Sequence, residues 1–284
     1  MSDQQNSTPV LAEPAVQQHT CKSCDNFFVG TFCNLCGEKI LQPADRSFRK
    51  FLSNILLSIT FADSKFIRTL WLMIKSPGFV SRQISEGRRV NYLNPLSVFF
   101  LLNLVYFFFP VIQLFNASLN TQLRSPISGY YQTIIAHKII AMKLDVASFS
   151  LIYNLKSTSF AKLMVMVFVV IASLPLNLIY LKKNRYFSDH VGYMVELACF
   201  NLFINAIVLA LLVNLFGIGQ YLDDRVLTGI FVTTNLYFLL RSGTTFYHEK
   251  GWLLVAKSIV MILFLKLALE CYRAILFFIT LWSL

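Results

Sequence analysis

Four of the six cysteines stand together near the N-terminus, as Cys21-Lys22-Ser23-Cys24 and, eight residues later, Cys33-Asn34-Leu35-Cys36. Each Cys-x-x-Cys aims two thiolates at one point from a tight turn, and Gly37 supplies the permissive backbone that such a turn needs. Four thiolates satisfy tetrahedral Zn²⁺ at ~2.3 Å with no position left for a substrate. The chemistry predicted for Cys21, Cys24, Cys33 and Cys36 is therefore structural, a small zinc ribbon over residues 21–40 holding one Zn²⁺ per chain. A different soft metal or iron–sulfur ligation, and a pair of disulfides, are the competing readings. A thioredoxin-like redox site would need a βαβ context, which is absent. So small a module cannot hold a core, and metal binding would supply most of its folding free energy. Phe27, Phe28 and Phe32, between the pairs, are expected to pack around the ion.

Two further groups of residues could do chemistry. Arg88, Arg89 and Tyr92 lie just before the first apolar run, where arginines meet lipid headgroups; phosphate binding and plain interfacial anchoring are the two readings. His190, Glu196, Asn201 and Asn205 fall in or beside a later apolar run, where polar residues are costly and tend to be functional. They could line a polar path. More plainly, the asparagines would bridge neighbouring helices and Glu196 would pair with a base such as Lys257. Catalysis finds no support: there is no Gly-x-Ser-x-Gly, no His-Glu-x-x-His and no phosphate-cradling glycine loop.

The elements that must position these residues are membrane helices. Charged residues make up 14% of the 284 positions and hydrophobic ones 56%, against roughly 25% charged in a soluble domain. There is too little polar material to coat a globular surface, and the apolar runs reach the ~20 residues that cross a bilayer. The expected fold is an all-α, multi-span bundle of about five spans. Residues 1–20, rich in Gln, Ser, Thr and Pro, read as a disordered tail with no secretory signal. Residues 46–94 read as basic, amphipathic interfacial helices, the first from Phe48 to Ile59, the second opening at Asp63 or Ser64 and stopping at Ser76-Pro77-Gly78, and the third from Phe79 to Ser85. The bundle occupies residues 95–284. Its spans are predicted from Leu96 to about Phe115, from Ala161 to Tyr180 with an interruption at Pro175, from Val191 to Phe216 with a break at Gly217, from Val226 to Leu240, and from Trp252 onward. A polar external segment covers 116–160, within which Ile134, Ile135, Lys138, Ile139 and Met142 suggest one short amphipathic helix, and a polar loop runs from Arg241 to Lys250. The last span either ends near Cys271 with an interfacial tail or lets residues 272–284 pack back into the bundle.

Orientation follows from the cations. With the N-terminus cytoplasmic, the inner flanks hold nine Lys/Arg between Arg46 and Arg89, three in 182–185, and Arg241 with Lys250, fourteen in all; the outer flanks hold six. That balance puts the cysteines in a reducing compartment. It also accounts for the basic net charge without nucleic acid, leaving membrane lipids and a protein partner of the ribbon as the expected contacts.

The stretch Cys33 to Pro95 resembles a bacterial family of unknown function. That family has a short zinc ribbon ending in Cys-Gly-Glu or Cys-Gly-Gln, a basic amphipathic stretch, a Pro-Gly turn, a Gly-x-Arg-x-x-Tyr-x-x-Pro motif and several spans. Here these read Cys33-Asn34-Leu35-Cys36-Gly37-Glu38, Pro77-Gly78 and Gly87-Arg88-Arg89-Val90-Asn91-Tyr92-Leu93-Asn94-Pro95. Relatives carry several histidines on the third span; here only His190 stands at its start. The resemblance implies the bacterial cytoplasmic membrane and brings no activity with it. A membrane-anchored scaffold or adaptor working through its ribbon is the favoured expectation. A transporter or channel near Glu196 and a lipid-modifying enzyme near Arg88 and Arg89 are the alternatives.

Overall fold

The computed structural model describes residues 18–40, 64–108, 115, 118–123, 128–183, 185–217 and 224–284. The first seventeen residues and the amphipathic stretch Phe48 to Ile59 lie outside them. The ribbon begins earlier than its first cysteine. Strand β1 (Gln18–Thr20) pairs antiparallel with β2 (Phe27–Val29), His19 opposite Phe28. The end of the expected tail is thus part of the ribbon, because Phe28 needs a backbone partner on its edge to sit over the cysteines.

Helix α1 (Ser64–Lys75) stops at Ser76-Pro77, and α2 (Phe79–Ser85) follows within the predicted bounds. Gly78 between them has φ +80, and a side chain there would meet Ser242 at 2.9 Å; only glycine permits both. Helix α3 (Pro95–Phe108) opens on the proline, whose missing N–H costs nothing in a first turn.

The segment expected to be external is largely helical. After α4 (Leu119–Leu123) and α5 (Ser128–Met142), α6 runs unbroken from Val146 to Ile179, through Pro175. Asp145 caps it by accepting from the N–H groups of Ala147 and Ser148. Thirty-four residues at 1.5 Å each make a rod of about 51 Å, roughly 20 Å longer than a bilayer core. Helix α7 (Phe187–Phe216) contains a π-helical stretch, Leu202–Val208, and ends on left-handed Gly217, as predicted. Helix α8 (Asp224–Phe246) continues past Leu240 and absorbs half of the expected polar loop. Helix α9 (Trp252–Ser283) is a single rod, so its last dozen residues neither turn along the interface nor fold back.

Helices α6, α7 and α9 are long and apolar enough to cross a membrane, and α3 is a shorter apolar helix. The expected five are not all of that kind: α3 is described for 14 residues only, and α8 carries Thr233, Thr234, Asn235, Arg241 and Ser242. Only 28–39% of the apolar windows of α6, α7 and α9 is buried, so most of each apolar surface faces outward, as lipid requires and water penalises. Helices α6 and α9 lie antiparallel: Lys156 reaches the carbonyl of Ser283, Tyr272 donates to the carbonyl of Ala161, and Lys257 sits over the ring of Tyr180. Their far ends pack with α4 and α5 around Leu119, Tyr131, Phe149, Tyr153, Phe277 and Leu281, a second core apart from the main one built on Phe99, Val169, Tyr193, Phe238 and Tyr272.

Candidate metal centre

The ribbon holds its cysteines on two equivalent turns. In the first, the N–H of Asp25 donates to the carbonyl of Cys21 and the N–H of Cys21 to that of Asn26; in the second, Gly37 donates to Cys33 and Cys33 to Glu38. Asp25 (φ 57) and Gly37 (φ 74) take the same left-handed conformation at the same place in each turn. This brings all four Sγ atoms within 4.8 Å of one another, with Cys21–Cys36 at 3.5 Å and Cys24–Cys33 at 3.6 Å. Edges of a tetrahedron with ~2.3 Å bonds are about 3.8 Å, so the donor set fits one four-coordinate ion. None of the four is in a disulfide. Burial pushes the Cys33 thiol up, but the amides of Cys36 and Leu35 and the neighbouring thiols override it and bring it down to about 6. The Asn26 amide acts downward on Cys24, yet burial and the other three thiols push it up to about 12. Of the three phenylalanines, Phe28 packs on Cys21 and Cys33, while Phe27 and Phe32 point outward.

Glu38, which the sequence reading passed over, fastens the ribbon to the helices. Its buried carboxylate accepts from the N–H of Arg89 at 3.0 Å and of Val90 at 3.3 Å, and from the Ser23 hydroxyl at 2.5 Å. Lys22 Nζ adds a bond to the carbonyl of Glu86 at 3.1 Å. The signal for Glu38 was present in the Cys-Gly-Glu ending; its target, 51 residues on, was not. Around this joint Arg88 donates to Gln83 Oε1 at 3.1 Å and lies 3.8 Å from Glu86. Tyr92 stands edge-on to Phe79, with the Arg68 guanidinium 5.7 Å from its ring.

The polar residues of α7 do not converge on one path. Glu196 is fully buried, and each oxygen accepts one amide of the α2 turn, Gly78 N–H and Ser81 N–H, both at 2.8 Å. Lys257, its expected partner, pairs instead with Glu249 at 2.8 Å, on the loop just before α9. His190 Nδ1 is 2.7 Å from the Tyr247 hydroxyl. Asn201 and Asn235 exchange amide bonds between α7 and α8 at 2.9 and 3.0 Å, and Asn205 donates to Asn201 and Thr234. This is the helix-bridging use of asparagine. The cavity beside Asn201 and Asn235, walled by Phe115, Met194, Phe231 and Leu265, encloses about 10 Å³, room for roughly one water.

Residues 63–107 match the family model described as protein of unknown function (DUF3667). The matched segment holds α1, α2, the Gly87–Pro95 motif and nearly all of α3. Both buried carboxylates that grip it, Glu38 and Glu196, come from outside its bounds. No curated protein and no solved structure matches the chain.

Proposed function

We propose that this chain is a multi-span protein of the bacterial cytoplasmic membrane, with its N-terminus cytoplasmic and α3 and α8 completing about five spans, and that it serves as a scaffold. Its ribbon holds one structural Zn²⁺ through the Sγ atoms of Cys21, Cys24, Cys33 and Cys36, with no open coordination position. The observation that carries the reading is the Glu38 joint. A ribbon on a loose tether would present its surface in any direction; this one is tied at 86–90 to the segment that leads into α3. The surface left outward includes large apolar side chains: Phe27 is 73% exposed, Leu35 71%, Phe32 59% and Val29 54%. Such a face on a rigid mount suits a cytoplasmic protein partner that offers an apolar strip. No comparable observation favours transport past Glu196, whose oxygens are both taken by amides, or lipid modification at Arg88.

Two measurements test this. Elemental analysis of reduced protein should give about one zinc per chain, lost in Cys33→Ser/Cys36→Ser while the detergent-solubilised helices stay intact. A photo-crosslinking amino acid at position 27 or 35 should then trap one cytoplasmic protein in cells, and the trap should vanish with the zinc. Zinc-free protein would end the ribbon reading, and crosslinks to lipid alone would end the docking reading.

A further inference from the structure

A second feature of the same end of the molecule is independent of any partner of the ribbon. Four cations from three distant stretches of chain gather around Glu86, at its carboxylate or its backbone carbonyl. Arg82 Nε lies 2.7 Å from Glu86 Oε1, Arg88 is 3.8 Å from Oε2, and Lys22 of the ribbon binds the Glu86 carbonyl. Arg185, from the turn between α6 and α7, donates to Ser85 Oγ at 2.7 Å and acts on Glu86 through space. Burial opposes ionisation of Glu86, yet these arginines hold its carboxyl below the ordinary range. His248, before α9, feels the same field: burial and the charges of Arg82 and Arg185 push it below its usual value. Two other acids nearby are already matched: Glu249 by Lys183 and Lys257, and Glu38 by the N–H groups of Arg89 and Val90 and the Ser23 hydroxyl.

The Glu86 carboxylate therefore faces Arg82, Arg88 and, through space, Arg185, and their N–H donors outnumber its lone pairs. Arg88 Nε is buried and has no hydrogen-bond partner among the described residues. The guanidinium groups are nevertheless reachable, with 35% of the Arg82 side chain and 42% of the Arg88 side chain exposed. The cluster sits where α6 ends and where α7 and α9 begin, so it lies at one boundary of the apolar layer. On neighbouring α1, Ile67 (72% exposed) and Trp71 (60%) form an outward apolar stripe flanked by Lys65 and Arg68, as on a helix lying in a headgroup layer.

We infer that Lys22, Arg82, Arg88 and Arg185 form a binding site for a phosphate group, carried by an anionic lipid headgroup or free in solution. Planar guanidinium groups match phosphate oxygens two at a time, and anionic headgroups are the phosphates most concentrated at this depth. The site spans the ribbon, α2 and the α6–α7 turn, so an occupant would bind all three together.

The test uses full-length protein in phosphatidylcholine nanodiscs, with native mass spectrometry of retained lipid. One arm adds phosphatidylglycerol or phosphatidic acid, the other inorganic phosphate. Selective retention of anionic lipid assigns the headgroup source; stabilisation by millimolar phosphate without lipid selectivity assigns a soluble phosphate. Arg82→Gln/Arg88→Gln should weaken retention about 25-fold, at about five-fold per interfacial cation. Lys22→Gln, at an exposed position, should weaken it about five-fold, and Glu86→Gln should strengthen it. The opposite signs of the last two separate binding from mere damage to the fold. Equal retention of anionic and zwitterionic lipid with no response to phosphate, or loss of binding in Glu86→Gln, overturns the inference.

Discussion

Replacing Glu196 tests the central joint of the helices. Its two oxygens each accept a buried amide at 2.8 Å, and Ser81 also donates through its hydroxyl to the carbonyl of Gly192. Glu196→Ala leaves the amides of Gly78 and Ser81 buried without acceptors, at ~1–3 kcal/mol each, so the expected loss is about 4 kcal/mol. Glu196→Gln keeps one acceptor and turns an NH₂ toward the other amide, for about 2 kcal/mol. At roughly 2–4 °C per kcal/mol for a domain of ~200 residues, Tm should fall by about 8–16 °C and about 4–8 °C. Ser81→Ala, which loses the hydroxyl but leaves both amides on the carboxylate, should fall by less than either. Thermal-shift size exclusion in detergent measures all three, and hydrogen exchange at Gly78 and Ser81 should accelerate in the same order. A Glu196→Ala protein melting within about 2 °C of wild type, or a reversed order, refutes the claim that this carboxylate holds α2.

Other outcomes follow from the same geometry. Glu38→Gln should leave zinc content unchanged while speeding hydrogen exchange at Arg89 and Val90; unchanged exchange there would show that the joint is not held by the carboxylate. Gly78→Ala forces a left-handed alanine, at ~1–2 kcal/mol, against Ser242 at 2.9 Å. It should cost more in Tm than Gly243→Ala, whose new methyl meets only the tip of Leu254. Glu249 is held below its ordinary 4.5 by its hydrogen bond from Lys257, against burial and with help from Lys183. Its contribution is present above pH 4.5 and is lost as pH falls through the lower folded value. The Tm gap between wild type and Glu249→Gln should therefore be constant from pH 6 to 8 and close below pH 4.5; a gap that persists unchanged to pH 3 contradicts the pairing.

What could be read beforehand was local. The spacing of Cys21 to Cys36, the stop at Pro77, the short helix Phe79–Ser85 and the break at Gly217 each depend on residues within a few positions, and each stands in the structure. The second span was expected to open at Ala161, and its helix opens earlier, at Val146: Phe149, Tyr153 and Ser157 recur at helical spacing and are buried, behind an Asp145 cap, while the short helix expected around Ile134 to Met142 stands as α5. The single rod of α9 was missed because the helix was expected to end near Cys271 or to fold back beyond it; the pair expected of Glu270 with Lys266 or Arg273 does form, with Arg273 at 3.3 Å along one helix. The partners of Glu38 and Glu196 lie 51 and more than 110 residues away and are backbone amides. No side-chain type marks an amide as an acceptor's target, so charge matching pointed to Lys257 instead.

The grip of Glu196 on the α2 turn also bears on the order in which this protein is made. Gly78 and Ser81 leave the ribosome well over a hundred residues before the carboxylate that satisfies them. Until then their amides lack this acceptor and must be met by water, which keeps the turn at a wet surface while α3 to α6 are made. Only with the arrival of α7 can it be drawn into the bundle. Docking of the ribbon onto residues 89 and 90 then has a settled surface to meet, so a segment made before every described helix is among the last to find its place.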